Sequence, residues 1–460
     1  MNKKDFDNNI VIWKKLFDVD DKTIEVLRAD ILKMDYYKYN RLTVLAGKPW
    51  FIKFISIIER LLSPKLSKGF NLDDEDFIII ATCDFNRVKT LPLIAHNFKY
   101  KVFFLPTLTR PKQVRDLYNY YKNAEMDVYF GTFSNDVIKE YSNFLRRNKA
   151  LFSKIKCEDK DSERLLLYFM KRFAIYSIYT KDIFKHASNE KLWIFEQDKH
   201  YYIPVINEFR KKGVMTIEMQ HGTFFNPITD DRLPLYVDKM ICCSEREKCL
   251  YRDGGVDIKD IYVTGAPLQT LHAKKFTDGP IKYDLLVLLS DTIPRCIERQ
   301  IVCLKYINEH YRDKKTLLRF RPKSAAKDKK NLAEYIKGYR VSSGTSLSED
   351  LCSAEKVITF SEDTVFEIIQ AKKQFMVFVD KSDLYGGYLD GLCYSIDEID
   401  TCLTKLFSKD YSIDINRYIS AFGDTDLEIV EKRFKKVIYE LKNQKNIFMN
   451  FLVDTNKKIN

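Results

Sequence analysis

The chain has 460 residues, a mass of 54.4 kDa and a formal net charge of +12. Hydrophobic residues make up 45% of it, aromatic residues 14% and charged residues 31%. This composition is typical of a soluble globular protein with a large core, and it excludes a disordered, collagen-like or low-complexity chain. At roughly 150 residues per domain, the length predicts two or three domains.

Cysteine usage and hydropathy bear on the cellular compartment. Ten cysteines occur without a Cys-x-x-Cys pair, and Cys83, Cys303 and Cys352 stand in apolar surroundings. Free buried thiols of this kind indicate a reducing cytosol. The amino terminus lacks the apolar core of a signal peptide, and no apolar run reaches the roughly 18–20 residues needed to cross a bilayer. We therefore expect a cytoplasmic protein that is soluble or attached to a membrane face.

The first 272 residues predict helices followed by an alternation of strands and helices. Apolar positions at three- and four-residue spacing predict helices within 1–70. Short apolar, β-branched runs predict strands at 77–83, 101–106, 126–132, 191–196, 214–220, 239–245 and 260–267. Helical stretches are predicted at 134–190, 201–213 and 246–255. This alternation is typical of a doubly wound parallel sheet.

A polar linker at 273–282 is the predicted domain boundary, and the same alternation then begins again. Strands are predicted at 283–290, 316–322, 338–343, 356–360 and 374–379. Helices are predicted at 293–311, 346–355, 361–373 and 396–408. We therefore expect an amino-terminal domain at 1–272, a second α/β domain at 273–424 and a carboxyl-terminal helix at 425–460.

In open parallel sheets, ligands bind beyond the carboxyl ends of the strands. The polar and glycine residues that follow the predicted strands are therefore the candidates for a site. They are Asp84, Asn86, Arg87, Glu196, Asp198, Gln220, His221, Gly222, Ser244, Glu245, Gly265, Pro267, Asp291, Arg319, Arg321, Lys323 and Ser361 to Thr364.

Gln220-His221-Gly222 is the sharpest of these features. It follows a predicted strand directly, which places a histidine at the mouth of the expected cleft. Glycine permits close backbone approach to a ligand, and histidine transfers protons near neutral pH. The alternative is a histidine that packs at the strand end and hydrogen-bonds to the backbone.

Basic residues at a strand end suggest a phosphate site. Arg319, Arg321 and Lys323 alternate along the strand, so their side chains share one face. Guanidinium groups suit a diphosphate, whereas the alternative is a basic sheet edge.

The segment after the strand at 356–360 also has two interpretations. Ser361 is expected to cap the next helix, where the hydroxyls of Ser361 and Thr364 suit phosphate oxygens. Glu362 and Asp363 place negative charge at the same point and oppose an anion. Glu367, one turn further in, is either a partner for ribose hydroxyls or an exposed helix glutamate.

Two larger charged segments leave further alternatives open. Lys314 to Lys330 contains eight Lys or Arg against one Asp, a net charge of +7. Such a patch suits an anionic partner, or it is a solvated surface loop. No aromatic stacking residues accompany it, which argues against nucleic acid. The last helix has apolar residues from Leu427 to Leu441 with Lys and Arg between them, so it either packs on the protein or lies on a membrane surface.

The order of motifs resembles a family. WIFEQD, IEMQHGTFFNP, DKMICCSERE, DIYVTGAP, LLRFRPK and KVITFSEDTVFEIIQAKKQFMVF follow one another along the chain. They resemble bacterial capsule and surface-polysaccharide glycosyltransferases of the GT-B fold with a Gln-His-Gly motif, among them Kdo-transferring capsule enzymes. The chain is more distantly similar to polysialyltransferases and CDP-glycerol glycerophosphotransferases. The resemblance covers about 190–400.

The resemblance implies two Rossmann-type domains facing a central cleft, with the donor in the second domain and the acceptor in the first. It places His221 at the reaction centre. As catalytic base we rank His221 first, then Asp84 and Glu196, which follow predicted strands. The donor-binding residues that the resemblance implies are Gln220, Gly222, Gly265, Pro267, Arg321, Lys323, Ser361, Thr364 and Glu367. Arg319 joins this set as a candidate because it shares a face of the predicted strand with Arg321 and Lys323. Such enzymes neutralise the leaving phosphate with cations and helix amino termini, so no metal or cofactor is expected beyond the nucleotide-sugar substrate.

The implied reaction moves a sugar, with a CMP-linked ulosonic acid favoured, to a lipid-linked surface polysaccharide or lipopolysaccharide. The partners would be the donor, a glycan acceptor and the inner face of the cytoplasmic membrane. Arg321-Pro322-Lys323 departs from the family's Arg-Pro-His-Pro, and Glu362 and Asp363 interrupt its phosphate turn. These departures motivate one alternative, a non-catalytic GT-B scaffold. A second alternative is a CDP-polyol phosphotransferase, which a second histidine at the Arg-Pro position would favour.

Overall fold

The structure is a computed structural model with two parallel α/β sheets, one in each half of the chain. The residues that it describes are 3–33, 48–62, 75–81, 90–106, 128–185, 187, 190–196, 201–220, 235–266, 280–289, 294–321, 330, 332–343, 346–360, 364–379, 393–414, 423–424 and 426–459.

The first half combines helices with seven strands. Its helices are α1 (Lys3–Asn8), α2 (Ile10–Phe17), α3 (Asp21–Lys33), α4 (Pro49–Leu62), α5 (Leu91–Ile94), α6 (Asn135–Arg147), α7 (Lys149–Phe152), α8 (Lys160–Ile183), α9 (Tyr202–Lys211) and α10 (Glu245–Asp253). Its strands are β1 (Phe77–Ala81), β2 (Tyr100–Phe104), β3 (Val128–Phe130), β4 (Leu192–Phe195), β5 (Thr216–Met219), β6 (Lys239–Cys242) and β7 (Ile261–Val263).

The first sheet is parallel throughout, in the order β3-β2-β1-β4-β5-β6-β7. All five residues of β1 are buried, because helices cover both faces of a parallel sheet. Successive side chains point to opposite faces. Ile78 and Ile80 accordingly join one core with helices α1 to α4 and α6 to α9, and Phe77, Ile79 and Ala81 join another with α5 and the last helix.

The second half forms a six-stranded sheet. Its strands are β8 (Tyr283–Leu289), β9 (Thr316–Phe320), β10 (Arg340–Val341), β11 (Ala354–Thr359), β12 (Gln374–Val379) and β13 (Cys393–Ser395). Its helices are α11 (Pro294–His310), α12 (Leu347–Ser353), α13 (Val365–Gln370) and α14 (Ile399–Phe407). The order is β10-β9-β8-β11-β12-β13, with every pair parallel. Strand β13 is absent from the sequence-based prediction because three residues carry too little hydrophobic pattern.

The last helix, α15 (Leu427–Ile459), packs against the first sheet rather than the second. Phe434 is buried and meets Phe77 and Phe98 edge to face, with centroids 5.9 and 6.3 Å apart. The other apolar side chains buried with it are Val430, Val437, Ile438 and Leu441. The apolar face of α15 over 430–441 therefore packs against the first sheet. No helix in the described part of the chain is long and apolar enough to cross a membrane.

The segment after β7 and the segment before α15 contact each other. The backbone N–H of Ala266, after β7, donates to the carbonyl of Asp424, just before α15, over 2.8 Å. A Cβ on Gly423 would lie 2.0 Å from the carbonyl oxygen of Cys243. The returning segment therefore packs directly on the carboxyl edge of the first sheet.

Candidate functional site

Both sheets have a topological switch point, where strand order reverses direction. In the first sheet it lies between β1 and β4, and in the second between β8 and β11. Open α/β sheets bind ligands in the crevice beyond the carboxyl ends of the strands at such a point. The side chains that follow β1, β4, β8 and β11 are therefore the ones to inspect first.

Glu196 lies at the switch point of the first sheet. Its backbone N–H donates to the carbonyl of Ile80 in β1 over 3.1 Å, which extends the pairing of β4 and β1 by one residue. Its side chain is buried and accepts a hydrogen bond from the hydroxyl of Tyr202 at the start of α9. The carboxylate is thus oriented by a neighbour. Asp84, the other predicted carboxylate here, lies outside the described residues.

Gln220 follows β5, one strand further along the sheet. It is fully buried, and its Nε2 donates to Oε1 of Glu247 over 3.0 Å. The other oxygen of Glu247 accepts the backbone N–H of Cys243 at 2.8 Å, and Ser244 caps α10 through the backbone N–H of Glu247. This network holds the end of β5 just before His221. His221 and Gly222 lie outside the described residues.

Cys242, beside this network, is not suited to act as a nucleophile. Its thiol is buried, and burial followed by the nearby Glu247 carboxylate raises its pKa well above the ordinary value. It therefore stays protonated at neutral pH. The eight cysteines within the described ranges are all free.

Gly265 lies at the chain crossing rather than in an open cleft. Its φ of 100° favours glycine, and a Cβ there would come within 2.7 Å of Cγ2 of Val430 and 2.8 Å of the carbonyl oxygen of Asp424. Packing between the two crossing segments accounts for glycine at this position. Pro267, the other predicted residue of this turn, lies outside the described residues.

At the switch point of the second sheet, two threonines meet. The hydroxyls of Thr359, at the end of β11, and Thr364 are 2.9 Å apart. Helix α13 begins at Val365 with Thr364 in the N-cap position, whereas the sequence predicts a cap at Ser361, which itself lies outside the described residues. Glu367 is half-buried in the first turn of α13.

Arg319 and Arg321 have different environments, although both belong to one predicted basic strand. Arg319 is buried, donates to the carbonyl of Ser346 over 3.0 Å and pairs with the carboxylate of Asp350. Its guanidinium joins β9 to α12 through these contacts, which gives the side chain a structural role. Arg321 is exposed directly after the carboxyl end of β9. Lys323 lies outside the described residues.

Three polar residues of this region are absent from the sequence-based prediction: Glu247, Tyr202 and Thr359. The signal for Glu247 is present in the sequence, because Ser244-x-x-Glu247 matches the capping-box pattern. Tyr202 and Thr359 lie within a predicted helix and a predicted strand, where residue type alone does not distinguish a site residue from a core residue.

The chain is similar to known proteins at the level of fold alone. No family model and no curated protein matches it. UDP-N-acetylglucosamine 2-epimerase from Rickettsia bellii is 10% identical over 81% of this chain and 98% of its own, with a TM-score of 0.52. The MnaA–UDP complex from S. aureus is 10% identical over 79% and 96%, with a TM-score of 0.51.

A third solved structure extends this likeness. The α,α-trehalose 6-phosphate synthase from Burkholderia multivorans is 8% identical over 82% of this chain and 98% of its own, with a TM-score of 0.50. Similarity at these identities is evidence about architecture and leaves the reaction open. Together with the two parallel sheets, it confirms the expected fold class. The chain therefore has a GT-B-like architecture of two Rossmann-type α/β units.

Proposed function

We propose that the protein is a glycosyltransferase that uses a nucleotide-activated sugar donor. The observation that carries the proposal is the repeated strand order of the two sheets, each with polar side chains at its switch point. Two sheets of this kind suit a reaction between two substrates, because each sheet supplies one crevice. The donor favoured by the sequence resemblance is a CMP-linked ulosonic acid.

The second sheet would bind the donor. Arg321 follows β9, and Thr359 and Thr364 follow β11, with β8 between the two strands. Two inter-strand spacings separate β9 from β11 by roughly 10 Å. The phosphate and ribose of a bound nucleotide would lie between these groups, with the guanidinium on the phosphate and the hydroxyls and Glu367 on the ribose. Lys323 and Ser361 belong to the same proposal.

The first sheet would bind the acceptor and supply the base. Transfer requires removal of a proton from the acceptor hydroxyl while the donor phosphate departs with its bonding electrons. Glu196 is a buried carboxylate that Tyr202 orients, and it lies at the switch point. His221 remains the first choice as base because Glu247 holds the residue before it, and Asp84 and Glu196 are the other candidates.

The proposed acceptor is a lipid-linked bacterial surface polysaccharide or lipopolysaccharide. Such an acceptor would bring the enzyme to the inner face of the cytoplasmic membrane, as a peripheral partner. No metal or cofactor is part of the proposal, since Arg321 and Lys323 would stabilise the leaving phosphate.

Nucleotide binding without added metal tests the proposal. A ligand that binds only the native state at 100 times its Kd adds about 2.7 kcal/mol to the free energy of unfolding. We expect CMP, or one of CDP, UDP and GDP, to raise the thermal midpoint, and Arg321→Ala to abolish the rise. Lys409→Ala removes an exposed cation elsewhere in the second half and serves as the control.

The outcomes separate three classes of protein. A shift with CMP supports an ulosonic acid donor, a shift with UDP or GDP supports a neutral or amino sugar, and a shift with CDP supports a polyol phosphotransferase. The absence of any shift would contradict the donor site and leave a non-catalytic scaffold as the better account.

A further inference from the structure

A basic cavity opens at the amino-terminal edge of the second sheet, opposite the edge that carries the proposed donor site. Its volume is about 650 Å³. One acidic side chain, Asp313, lines it. Its six cationic lining residues are Lys282, Arg312, Lys314, Lys315, Lys337 and Arg340.

The sheet topology brings these cations together from distant parts of the chain. Strands β8, β9 and β10 are neighbours, so the residues at their amino ends share one edge. Lys282 precedes β8, Lys314 and Lys315 precede β9, and Arg340 begins β10. The +7 segment of the sequence contributes only part of this charge, since four of the six cations come from outside 314–330.

Two of the six cations already have partners. Nζ of Lys314 lies 3.5 Å from the carboxylate of Asp313 and 5.7 Å from the ring of Phe407. Nε of Arg312 donates to the carbonyl of Asn308 over 2.6 Å, at the carboxyl end of α11. These contacts within the protein account for a cationic side chain at both positions.

The other four cations have no such reason. Within the part of the chain that the structure describes, no carboxylate pairs with Lys282, Lys315, Lys337 or Arg340. The nearby carboxylate of Asp284 accepts a hydrogen bond from the backbone N–H of Lys315 over 2.7 Å. This hydrogen bond holds the Asp284 carboxylate at the end of the strand. Like charges gathered without counter-charges repel each other, and a bound anion relieves that repulsion.

The volume and the lining of the cavity indicate which class of ligand it could bind. Its volume falls within the range of small-molecule pockets, whereas a flat basic surface would suit a long nucleic acid. Tyr339, in its wall, donates its hydroxyl to the carbonyl of Leu304 over 2.8 Å, and Tyr311 stacks on Phe407 at 4.9 Å. Anchored aromatic residues therefore form part of the cavity wall.

We propose that the basic cavity binds a compact anion that carries two or more phosphate groups. This site is separate from the proposed donor site. The five residues of β9 span roughly 13 Å from one edge of the sheet to the other, so an anion in the cavity leaves the opposite crevice open. Two sources supply this chemistry, a soluble polyphosphate and the headgroup of an anionic phospholipid.

Calorimetric titration of the full chain with sodium tripolyphosphate tests the soluble source. The cavity variant combines Lys315→Gln, Lys337→Gln and Arg340→Gln, all at exposed positions. The control variant combines Lys409→Gln, Lys432→Gln and Lys435→Gln, which are also exposed and remove the same charge from other surfaces. We expect the cavity variant to bind at least about tenfold more weakly than the control, since charge-assisted hydrogen bonds are the strong ones.

Co-sedimentation with vesicles tests the lipid source. Vesicles of phosphatidylglycerol and phosphatidylcholine in equal parts are compared with vesicles of phosphatidylcholine alone. Binding to the anionic vesicles that the cavity variant loses and the control keeps would assign the cavity to a lipid headgroup. Loss of tripolyphosphate binding without vesicle binding would assign it to a soluble anion.

Equal weakening in both variants, or no binding of either probe to the parent chain, would overturn the proposal. Each single substitution is measured alongside, so a triple variant that fails to fold does not decide the result. Arg321→Ala distinguishes this site from the donor site, because it should leave tripolyphosphate binding to the cavity intact.

Discussion

Glu247, on helix α10, holds the side chain of Gln220 at the carboxyl end of strand β5. Nε2 of Gln220 donates to Oε1 of Glu247 over 3.0 Å, and the backbone N–H of Cys243 donates to Oε2 over 2.8 Å. Glu247 is only 2% exposed, so water does not replace it as acceptor. Removing the carboxylate leaves two buried donors unsatisfied. We expect Glu247→Ala to lower the free energy of unfolding by about 3 kcal/mol.

The control for this prediction lies two residues away. Glu245 is exposed in the first turn of the same helix, so Glu245→Ala removes the same charge at a cost of about 1 kcal/mol or less. Urea denaturation of both variants measures the difference. Equal losses would mean that the charge near the helix amino terminus, and not the buried network, accounts for the effect.

Gly423 tests the packing of the returning chain segment on the first sheet. Its φ is 94°, and a Cβ would lie 2.0 Å from the carbonyl oxygen of Cys243, which is backbone and unable to move aside cheaply. Gly255 has a φ of 91° with no atom within 4 Å of its Cβ position. Both alanine variants carry the same backbone strain of about 1–2 kcal/mol, and only Gly423→Ala adds a clash.

We therefore expect Gly423→Ala to lower the thermal midpoint clearly more than Gly255→Ala. The second half of the chain should remain folded, because its two cores contain no residue of this crossing. Matching midpoints for the two variants would show that the segment before α15 does not pack on Cys243.

Arg319 is expected to affect stability more than ligand binding. Its guanidinium is buried between β9 and α12, where it pairs with Asp350, which also accepts a hydrogen bond from Ser342 at 2.6 Å. Removing one partner of a buried pair leaves the other charge uncompensated, at a cost of about 3–5 kcal/mol. We expect Arg319→Met to destabilise the protein by that amount in urea denaturation.

An exposed pair provides the comparison. Arg252 and Asp253 are 2.8 Å apart with side chains 50% and 55% exposed, and such pairs contribute about 0–1 kcal/mol. Arg252→Met should therefore be close to neutral. If Arg319→Met were equally neutral yet abolished nucleotide binding, the arginine would belong to the donor site after all.

The sequence predicts the architecture well because buried parallel strands are short, uninterrupted apolar runs. FIIIA in β1 and QFMVFV in β12 are of this kind, and their alternation with helices predicts the doubly wound sheets. The environment of each site residue is less predictable. Arg319 and Arg321 are predicted to share one face of the strand. Only the fold shows that Arg319 forms an ion pair with Asp350, which belongs to another element.

The basic cavity illustrates the same limit. Lys282 and Arg340 are 58 positions apart in the chain, and only the pairing of β8, β9 and β10 brings them to one edge. A charge count along the sequence finds the segment at 314–330 and misses both of them. The sequence therefore does not show those site residues that are distant in the chain and are brought together by the pairing of strands.

The ion-pair cluster at Glu75 predicts a pH dependence of stability. Its carboxylate pairs with Lys101 in β2 and lies 3.0 Å from Nζ of Lys191, just before β4. The side chain of Glu75 is 8% exposed. Burial alone would raise its pKa, but the hydrogen bonds from Lys101 and Lys191 outweigh burial and hold the pKa below the ordinary value of 4.5.

A carboxyl group with a lowered pKa stabilises the folded state when it is ionised in both states. That contribution is complete above pH 4.5 and is lost as the pH falls through the lower pKa of the folded state. We expect Glu75→Gln to reduce the free energy of unfolding by about 2 kcal/mol at neutral pH. The difference between parent and variant should shrink as the pH is lowered below 4.5, and urea denaturation at several pH values measures it.

Glu158 provides the matched control for this titration. It pairs with Lys4 at 3.3 Å, but the two side chains are 59% and 75% exposed. Because exposed pairs contribute little, Glu158→Gln should leave stability nearly unchanged at every pH. A constant difference between Glu75→Gln and the parent from neutral to acid pH would show that Glu75 acts through packing. A difference that disappears in acid would show that its charge joins the amino ends of β1, β2 and β4.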